Sequence, residues 1–124
     1  MTILAIALGG AGGSVLRYLL GGFAQRLSHF AFPFGTLTVN VIGCLIVGIL
    51  IQHFTNLEPS PVIRGALVVG FCGGFTTFSA FSYETIGLIS GGAYSRAALY
   101  VAFSVGLCLA ATAGGIALTR LIAR

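Results

Sequence analysis

GFCGGFTTFSAFSYE occupies residues 70–84 and is the most informative stretch of this sequence. It lies in a long apolar segment, where paired glycines are followed by two adjacent threonines. Such residues weaken a helix, so the run predicts a helix that is broken near the middle of a membrane. A break at that depth frees backbone carbonyl groups, which must then find another partner. Bare carbonyls of this kind suit a small cation.

The composition around this run excludes an ordinary soluble protein. Hydrophobic residues make up 57% of the chain and charged residues only 6%, against about 25% charged residues in an average soluble domain. The mean hydropathy is +1.08. A helix needs about 20 mostly apolar residues to cross a bilayer. The sequence therefore predicts an all-α integral membrane protein of one domain, residues 1–124, with spans at about 2–23, 34–54, 62–89 and 94–121.

The basic charge does not indicate nucleic-acid binding. The net charge is +4, but the six cations are arginines scattered singly along the chain, and lysine is absent. A phosphate-binding surface needs clustered cations. We assign the arginines to the membrane edges, where they meet anionic lipid headgroups.

The arginines are also balanced between the two sides of the membrane. With four spans, Arg64, Arg120 and Arg124 lie on one side, while Arg26 and Arg96 lie on the other and Arg17 is nearer that second group. A split of three against three gives the positive-inside rule almost nothing to act on. The sequence therefore suggests insertion in both orientations, and its natural product is an antiparallel homodimer of dual topology.

Polar side chains recur inside two of the apolar spans. Tyr100, Ser104, Cys108 and Thr112 repeat every four residues and climb about 18 Å along one helix face. Asn40 lies in the second span, where a buried amide needs a partner or water. Two interpretations stay open. In one, these side chains form a ladder of hydrogen-bond donors across much of the hydrocarbon layer. In the other, the hydroxyls bond to their own helix carbonyls and the asparagine only joins two helices.

Cysteines and glycines in the spans are expected to serve packing. Cys44, Cys72 and Cys108 are odd in number and each falls in an apolar run, so a disulfide framework is not expected. We interpret them as small apolar packing residues. Gly9 and Gly13 form a GxxxG pair, a spacing that lets two helices approach closely in lipid.

A family resemblance rests on three parts of the sequence. The run 70–84, the segment GTLTVN at 35–40, and the first span from Gly9-Gly10 to Arg17-Tyr18 resemble the Fluc (CrcB) family of fluoride channels. The resemblance covers nearly the whole chain, and GGxTTFS is its most specific motif. It implies an antiparallel homodimer with two narrow pores, each built from both subunits, that passively exports fluoride across a prokaryotic cytoplasmic (inner) membrane.

The resemblance also assigns roles by position. The fluoride pathway would comprise Asn40, Thr77, Phe78, Ser79, Phe81, Tyr100, Ser104 and Thr112. Arg17 and Glu84 would belong to a vestibule, and the backbone carbonyls of Gly73 and Thr76 would hold a structural sodium ion at the dimer axis. Cys108 stands where a hydroxyl is common, and a thiol is a weaker donor.

These residue types suit a small anion. Hydroxyls, an amide and the positive edges of phenylalanine rings can replace the water around fluoride without holding it too tightly. No charged residue falls between 65 and 83 or between 97 and 119. The alternative is a proton-coupled small multidrug-type exporter, which needs a membrane carboxylate such as Glu84. An enzyme is not expected, because no acid, base and nucleophile lie together.

Overall fold

The computed structural model describes residues 1–28 and 31–123. Their secondary structure is entirely helical. Helix α1 spans Thr2–Ser28 and α2 spans Phe34–Leu57. Helix α3 covers 61–75, α4 covers Phe78–Ser90 and α5 covers Tyr94–Ile122.

Four stretches of helix are long and apolar enough to cross a membrane, namely Thr2–Ser28, Phe34–Thr55, Pro61–Ser90 and Tyr94–Ile122. The prediction of an all-α protein with four such segments is therefore confirmed. The first helix continues five residues beyond its predicted end at 23. Arg26 lies in its last turn, where a cation is favourable beside the unpaired carbonyls of a helix end.

Helix α3 changes its winding along its length. It starts at Pro61–Arg64, where the Ser60 side chain accepts from the Ile63 amide at 3.4 Å, an N-cap that satisfies one free amide of the first turn. Residues Gly65–Cys72 form a wider π-helical stretch, and Gly73–Phe75 complete the helix. Such π-helical turns occur often at functional sites.

The chain is extended at two residues between α3 and α4. Thr76 has φ −89° and ψ 158°, and Thr77 has φ −150° and ψ 115°. The Thr77 hydroxyl then accepts from the Ala80 amide at 3.1 Å and caps α4. The two threonines thus end one helix and start the next.

Glycines let the helices touch backbone to backbone. A Cβ at Gly9 would lie 2.2 Å from the Ala66 carbonyl oxygen, and a Cβ at Gly13 would lie 2.2 Å from that of Phe71. The GxxxG pair of α1 therefore packs against α3 as its spacing predicts. Between α2 and α5, a Cβ at Gly48 would lie 2.3 Å from the Thr112 carbonyl oxygen.

Much of the apolar surface faces outward. Tyr100, Phe75 and Val39 are the largest fully buried side chains, whereas large apolar residues such as Leu109 and Val69 are exposed on the helices. In water such a surface would be unfavourable. A hydrocarbon layer or a second subunit is the environment in which it is stable.

Candidate functional site

The side chain of one asparagine on α2 forms hydrogen bonds to the gap between α3 and α4. The Asn40 side-chain amide donates to the Thr77 carbonyl oxygen at 3.0 Å, and its own oxygen accepts from the Thr77 amide at 2.7 Å. Both backbone polar groups of Thr77 are therefore satisfied without a helix. The interpretation of Asn40 as a residue that joins two helices holds for these two bonds.

These contacts release two carbonyl groups from helical bonding. The Thr77 amide would bond to the Gly73 carbonyl in a continuous helix, but it bonds to Asn40 instead. The Ala80 amide would bond to the Thr76 carbonyl, but it bonds to the Thr77 hydroxyl. The Thr76 carbonyl accepts one contact from the Arg17 guanidinium at 3.4 Å. The two predicted sodium ligands are thus carbonyls that the helices do not use.

A cavity of about 290 Å³, here called the inner cavity, lies between α2, α4 and α5. None of the described residues that line it is charged. Ser104 is buried, and its hydroxyl has no hydrogen-bond partner among the residues in the structure. Predicted pathway residues supply half of the lining, namely Asn40, Thr77, Phe78, Phe81 and Ser104.

Aromatic rings form a row beside this cavity. The ring centroids of Phe78 and Phe81 lie 5.3 Å apart, and those of Phe81 and Tyr100 lie 5.2 Å apart. Phe32 follows with its ring edge-on to Tyr100 at 5.4 Å. Phe78 is 78% exposed although it lines the cavity, so within one chain the cavity is open at this ring.

A second, larger cavity of about 650 Å³ opens beside the first and is here called the outer cavity. Arg17 and Glu84, the two predicted vestibule residues, both line it, as do Thr77 and Ser79. The Thr77 hydroxyl lies 3.1 Å from that of Ser79. Thr77, in the helix gap, lines both cavities.

Glu84 is held by two hydroxyl groups. Tyr100 donates to one carboxylate oxygen at 2.6 Å, and Thr36 donates to the other at 2.7 Å. Tyr100 is fully buried and lies outside the lining of either cavity. Its hydroxyl therefore serves Glu84 in this conformation and does not project into the inner cavity.

The structure does not bring Thr112 to the inner cavity. Its hydroxyl lies 3.1 Å from the Cys108 carbonyl oxygen of its own helix and 3.2 Å from the Cys44 carbonyl oxygen of α2. The interpretation in which a hydroxyl bonds back to its own helix therefore holds for this residue. Tyr100, Ser104, Cys108 and Thr112 do share one face, but only Ser104 and Cys108 line the inner cavity.

Sequence reasoning overlooked two residues on α2. Thr36 binds Glu84, and Cys44 lines the inner cavity. Both lie four residues from Asn40, so the three share one helix face. The same four-residue spacing that identified the polar face of α5 would have found them.

Comparison with known proteins identifies relatives of this chain. A family model described as CrcB-like protein, Camphor Resistance (CrcB), matches residues 4–116. That match includes the helix gap and both cavities.

Individual relatives are similar over almost their whole length. A protein of Geobacter sulfurreducens is 49% identical over 120 residues, which is 96% of this chain and 97% of the relative. One from Rhizobium etli is 48% identical over 118 residues, 94% of each chain, and one from Sulfurovum is 40% identical. All three are named fluoride-specific ion channel FluC, so these relatives are channels and not enzymes. This chain therefore belongs to the CrcB-like family.

Proposed function

We propose that this chain is a fluoride-selective channel through which fluoride leaves a prokaryotic cell passively across the cytoplasmic membrane. The observation that carries the proposal is the inner cavity, which combines uncharged donors with the rings of Phe78 and Phe81. The relatives named fluoride-specific ion channel FluC support it at 40–49% identity.

Uncharged donors explain how a small anion enters. Fluoride is strongly hydrated, so the cavity must replace the water that it loses. The Ser104 hydroxyl is free of other partners in the described structure. The Asn40 amide has two hydrogens, and one remains after its bond to Thr77. Phenylalanine ring edges carry partial positive charge and add weak attraction. Sites without a full cation let the ion leave again.

A second copy of the chain would complete the pathway. Phe78 lines the inner cavity and is 78% exposed, so a subunit packed against this ring would close the cavity. The balance of arginines favours pairing in opposite orientations, because neither orientation is strongly preferred. A twofold axis in the membrane plane then yields two equivalent pores, each lined by both subunits.

The same axis suits a structural sodium ion. Each chain offers the carbonyls of Gly73 and Thr76 outside its helical bonding, and two chains would offer four. Gly73 has open space where a side chain would stand, which leaves room for the second subunit. The contact from Arg17 uses one lone pair of the Thr76 carbonyl and leaves the other. In this arrangement the gap between α3 and α4 lies at the middle of the membrane.

Reconstitution tests the proposal directly. Purified protein in liposomes loaded with potassium fluoride should release fluoride when valinomycin carries the balancing potassium, and liposomes loaded with chloride should not release chloride. Neutral hydrogen fluoride crosses lipid without valinomycin, so valinomycin dependence isolates the ionic current. Release no faster than from protein-free liposomes ends the proposal.

Orientation is tested separately in cells. Single cysteines placed at Thr2 and at Tyr94, on opposite membrane faces, should each be labelled partly from outside by an impermeant maleimide. The labelling is compared with that of a parent chain in which Cys44, Cys72 and Cys108 are serine. Labelling of only one of the two positions contradicts dual topology but leaves the fluoride pathway intact.

A further inference from the structure

Two cysteines on neighbouring helices line the inner cavity. Cys44 lies on α2 and Cys108 on α5, and both line this cavity. Both are free cysteines. We call them the thiol pair.

The backbones hold the thiol pair in place. The Thr112 hydroxyl lies within 3.1–3.2 Å of the carbonyl oxygens of both Cys108 and Cys44. A Cβ at Gly48 would lie 2.3 Å from the Thr112 carbonyl oxygen, so the two helices are in backbone contact one turn away. The backbone positions of Cys44 and Cys108 are therefore set by the packing of α2 against α5.

We propose that Cys44 and Cys108 form a two-coordinate binding site for a soft divalent cation, with mercuric ion as its probe, and that occupation of this site blocks the inner cavity. The block rests on the proposed fluoride pathway. The binding does not.

The chemistry selects a soft ion. Each thiol loses one proton to solvent, two sulfur–metal bonds replace the two mercury–chloride bonds of the mercuric chloride probe, two chloride ions leave, and nothing is oxidised or reduced. Thiolates are soft ligands and prefer soft metals. A divalent ion with two thiolates is neutral, so the product leaves no net charge in an apolar site.

Metals that need more ligands are disfavoured. Zinc in proteins is usually held by three or four protein side chains, and the described residues contain no group of three or more histidine, cysteine or acidic side chains able to hold a metal. Linear two-coordinate binding is the chemistry that this pair offers.

The thiol pair also lies where a bound ion would obstruct the proposed fluoride pathway. Asn40 lies one turn before Cys44 and Ser104 lies one turn before Cys108, and all four line the inner cavity. An ion bridging the sulfurs therefore lies beside the donors that fluoride is proposed to use. It adds bulk to a cavity of only about 290 Å³.

Binding is measured in a Cys72→Ser background, because Cys72 is a third thiol, is buried and does not line the inner cavity. Mercuric chloride is added to the purified detergent-solubilised protein, and intact mass and metal content are determined. We expect one mercury per chain with the loss of two protons. Against a competing monothiol, the pair should hold mercury about a hundredfold more tightly than Cys44→Ser or Cys108→Ser, because two linked ligands act together.

Alanine replacements guard against loss of fold. Cys44→Ala and Cys108→Ala keep the site apolar, and any variant used must elute as the parent does in size-exclusion chromatography. Equal mercury affinity in parent and single variants contradicts the pair, as does binding of two mercury ions per chain, which would show independent thiols.

Flux separates the two parts of the proposal. In liposomes, one equivalent of mercuric chloride per chain should lower fluoride efflux of the Cys72→Ser protein about tenfold or more, as expected for a barrier raised by 1.4 kcal/mol or more. A dithiol should restore the efflux, and in the presence of mercury each single variant should keep most of its own untreated efflux.

Mercury bound at the pair with unchanged efflux overturns the block. If neither the parent nor the Cys72→Ser protein releases fluoride without mercury, the proposed pathway is refuted, and with it the block, while the mass measurement still decides the binding site.

Discussion

Asn40 satisfies both backbone polar groups of Thr77 with a single side-chain amide, at 2.7 and 3.0 Å. This relationship links the gap between α3 and α4 to the inner cavity, because the residue that stabilises the gap also lines the cavity. A change at Asn40 should therefore affect stability and conduction together.

Asn40→Ala should lower the free energy of unfolding by about 2 kcal/mol, because it leaves both polar groups of Thr77 without their partner. Fluoride efflux should fall as well. Stability is measured by reversible unfolding in detergent. Gln52→Ala is the matched control, since this amide accepts from Arg120 at 2.9 Å on the exposed surface and should cost less than about 1 kcal/mol. Equal losses of unfolding free energy in the two variants would mean that the bonds to Thr77 contribute no more to stability than a surface hydrogen bond does.

Phe78→Ile and Phe81→Ile should each reduce fluoride efflux about tenfold, because removing a ring edge worth roughly 1.4 kcal/mol raises the barrier by one decade. The Phe78 variant should fold normally, since this ring is largely exposed within the chain. Phe103→Ile is the control, because Phe103 is about half exposed and does not line either cavity. Normal efflux in both test variants removes the phenylalanines from the pathway.

Much of this site follows from local sequence, and the rest depends on packing. The run GGFTT predicts the helix gap, and four-residue spacing predicts that Ser104 and Cys108 lie on one helix face. Four-residue spacing places Thr36 and Tyr100 on polar helix faces. Their bonds to Glu84 could not be predicted, because the two residues lie 48 and 16 positions away from it and meet it only when α2 and α5 pack beside α4. The same applies to one contact of Thr112, whose hydroxyl lies near the Cys108 carbonyl oxygen of its own helix, as one interpretation expected, and also near the Cys44 carbonyl oxygen of α2.

Thr77→Val should weaken the response of the protein to sodium. Without the hydroxyl, the Ala80 amide loses its cap and can bond to the Thr76 carbonyl, one of the proposed sodium ligands. A bound ion at a hundred times its dissociation constant stabilises by about 2.7 kcal/mol. We expect replacing sodium by choline to lower the unfolding temperature of the parent dimer clearly, and that of the variant by less than half as much.

Thr55→Val is the control for this comparison, because the Thr55 hydroxyl bonds only to the Ile51 carbonyl of its own helix. It should keep the full sodium response. A parent protein that is equally stable in sodium and choline contradicts the sodium site.

Gly13→Ala should destabilise the protein by about 1–3 kcal/mol, the usual range for overpacking. The added Cβ would lie 2.2 Å from the Phe71 carbonyl oxygen and 2.9 Å from the Phe75 amide nitrogen, and backbone atoms cannot move aside as a side chain does. Gly12→Ala adds the same methyl group to the same helix with nothing of the chain within 4 Å. It should be neutral or stabilise by up to about 1 kcal/mol through helix propensity. If both variants unfold alike, α1 and α3 are not in close backbone contact.

Glu84→Gln distinguishes a channel from a proton-coupled exporter. In an exporter the Glu84 carboxylate carries the proton, so replacing it with the amide of glutamine should abolish transport. In a channel the side chain helps to position Tyr100 and Thr36, and the amide oxygen can still accept from the 2.6 Å contact with Tyr100. We therefore expect the variant to keep a valinomycin-dependent fluoride current, at a reduced rate, because the amide cannot accept from both hydroxyls.

An imposed pH gradient should drive no fluoride uphill in either protein once the valinomycin-independent release is subtracted. Uphill fluoride movement in the parent, lost in Glu84→Gln, would establish the exporter instead.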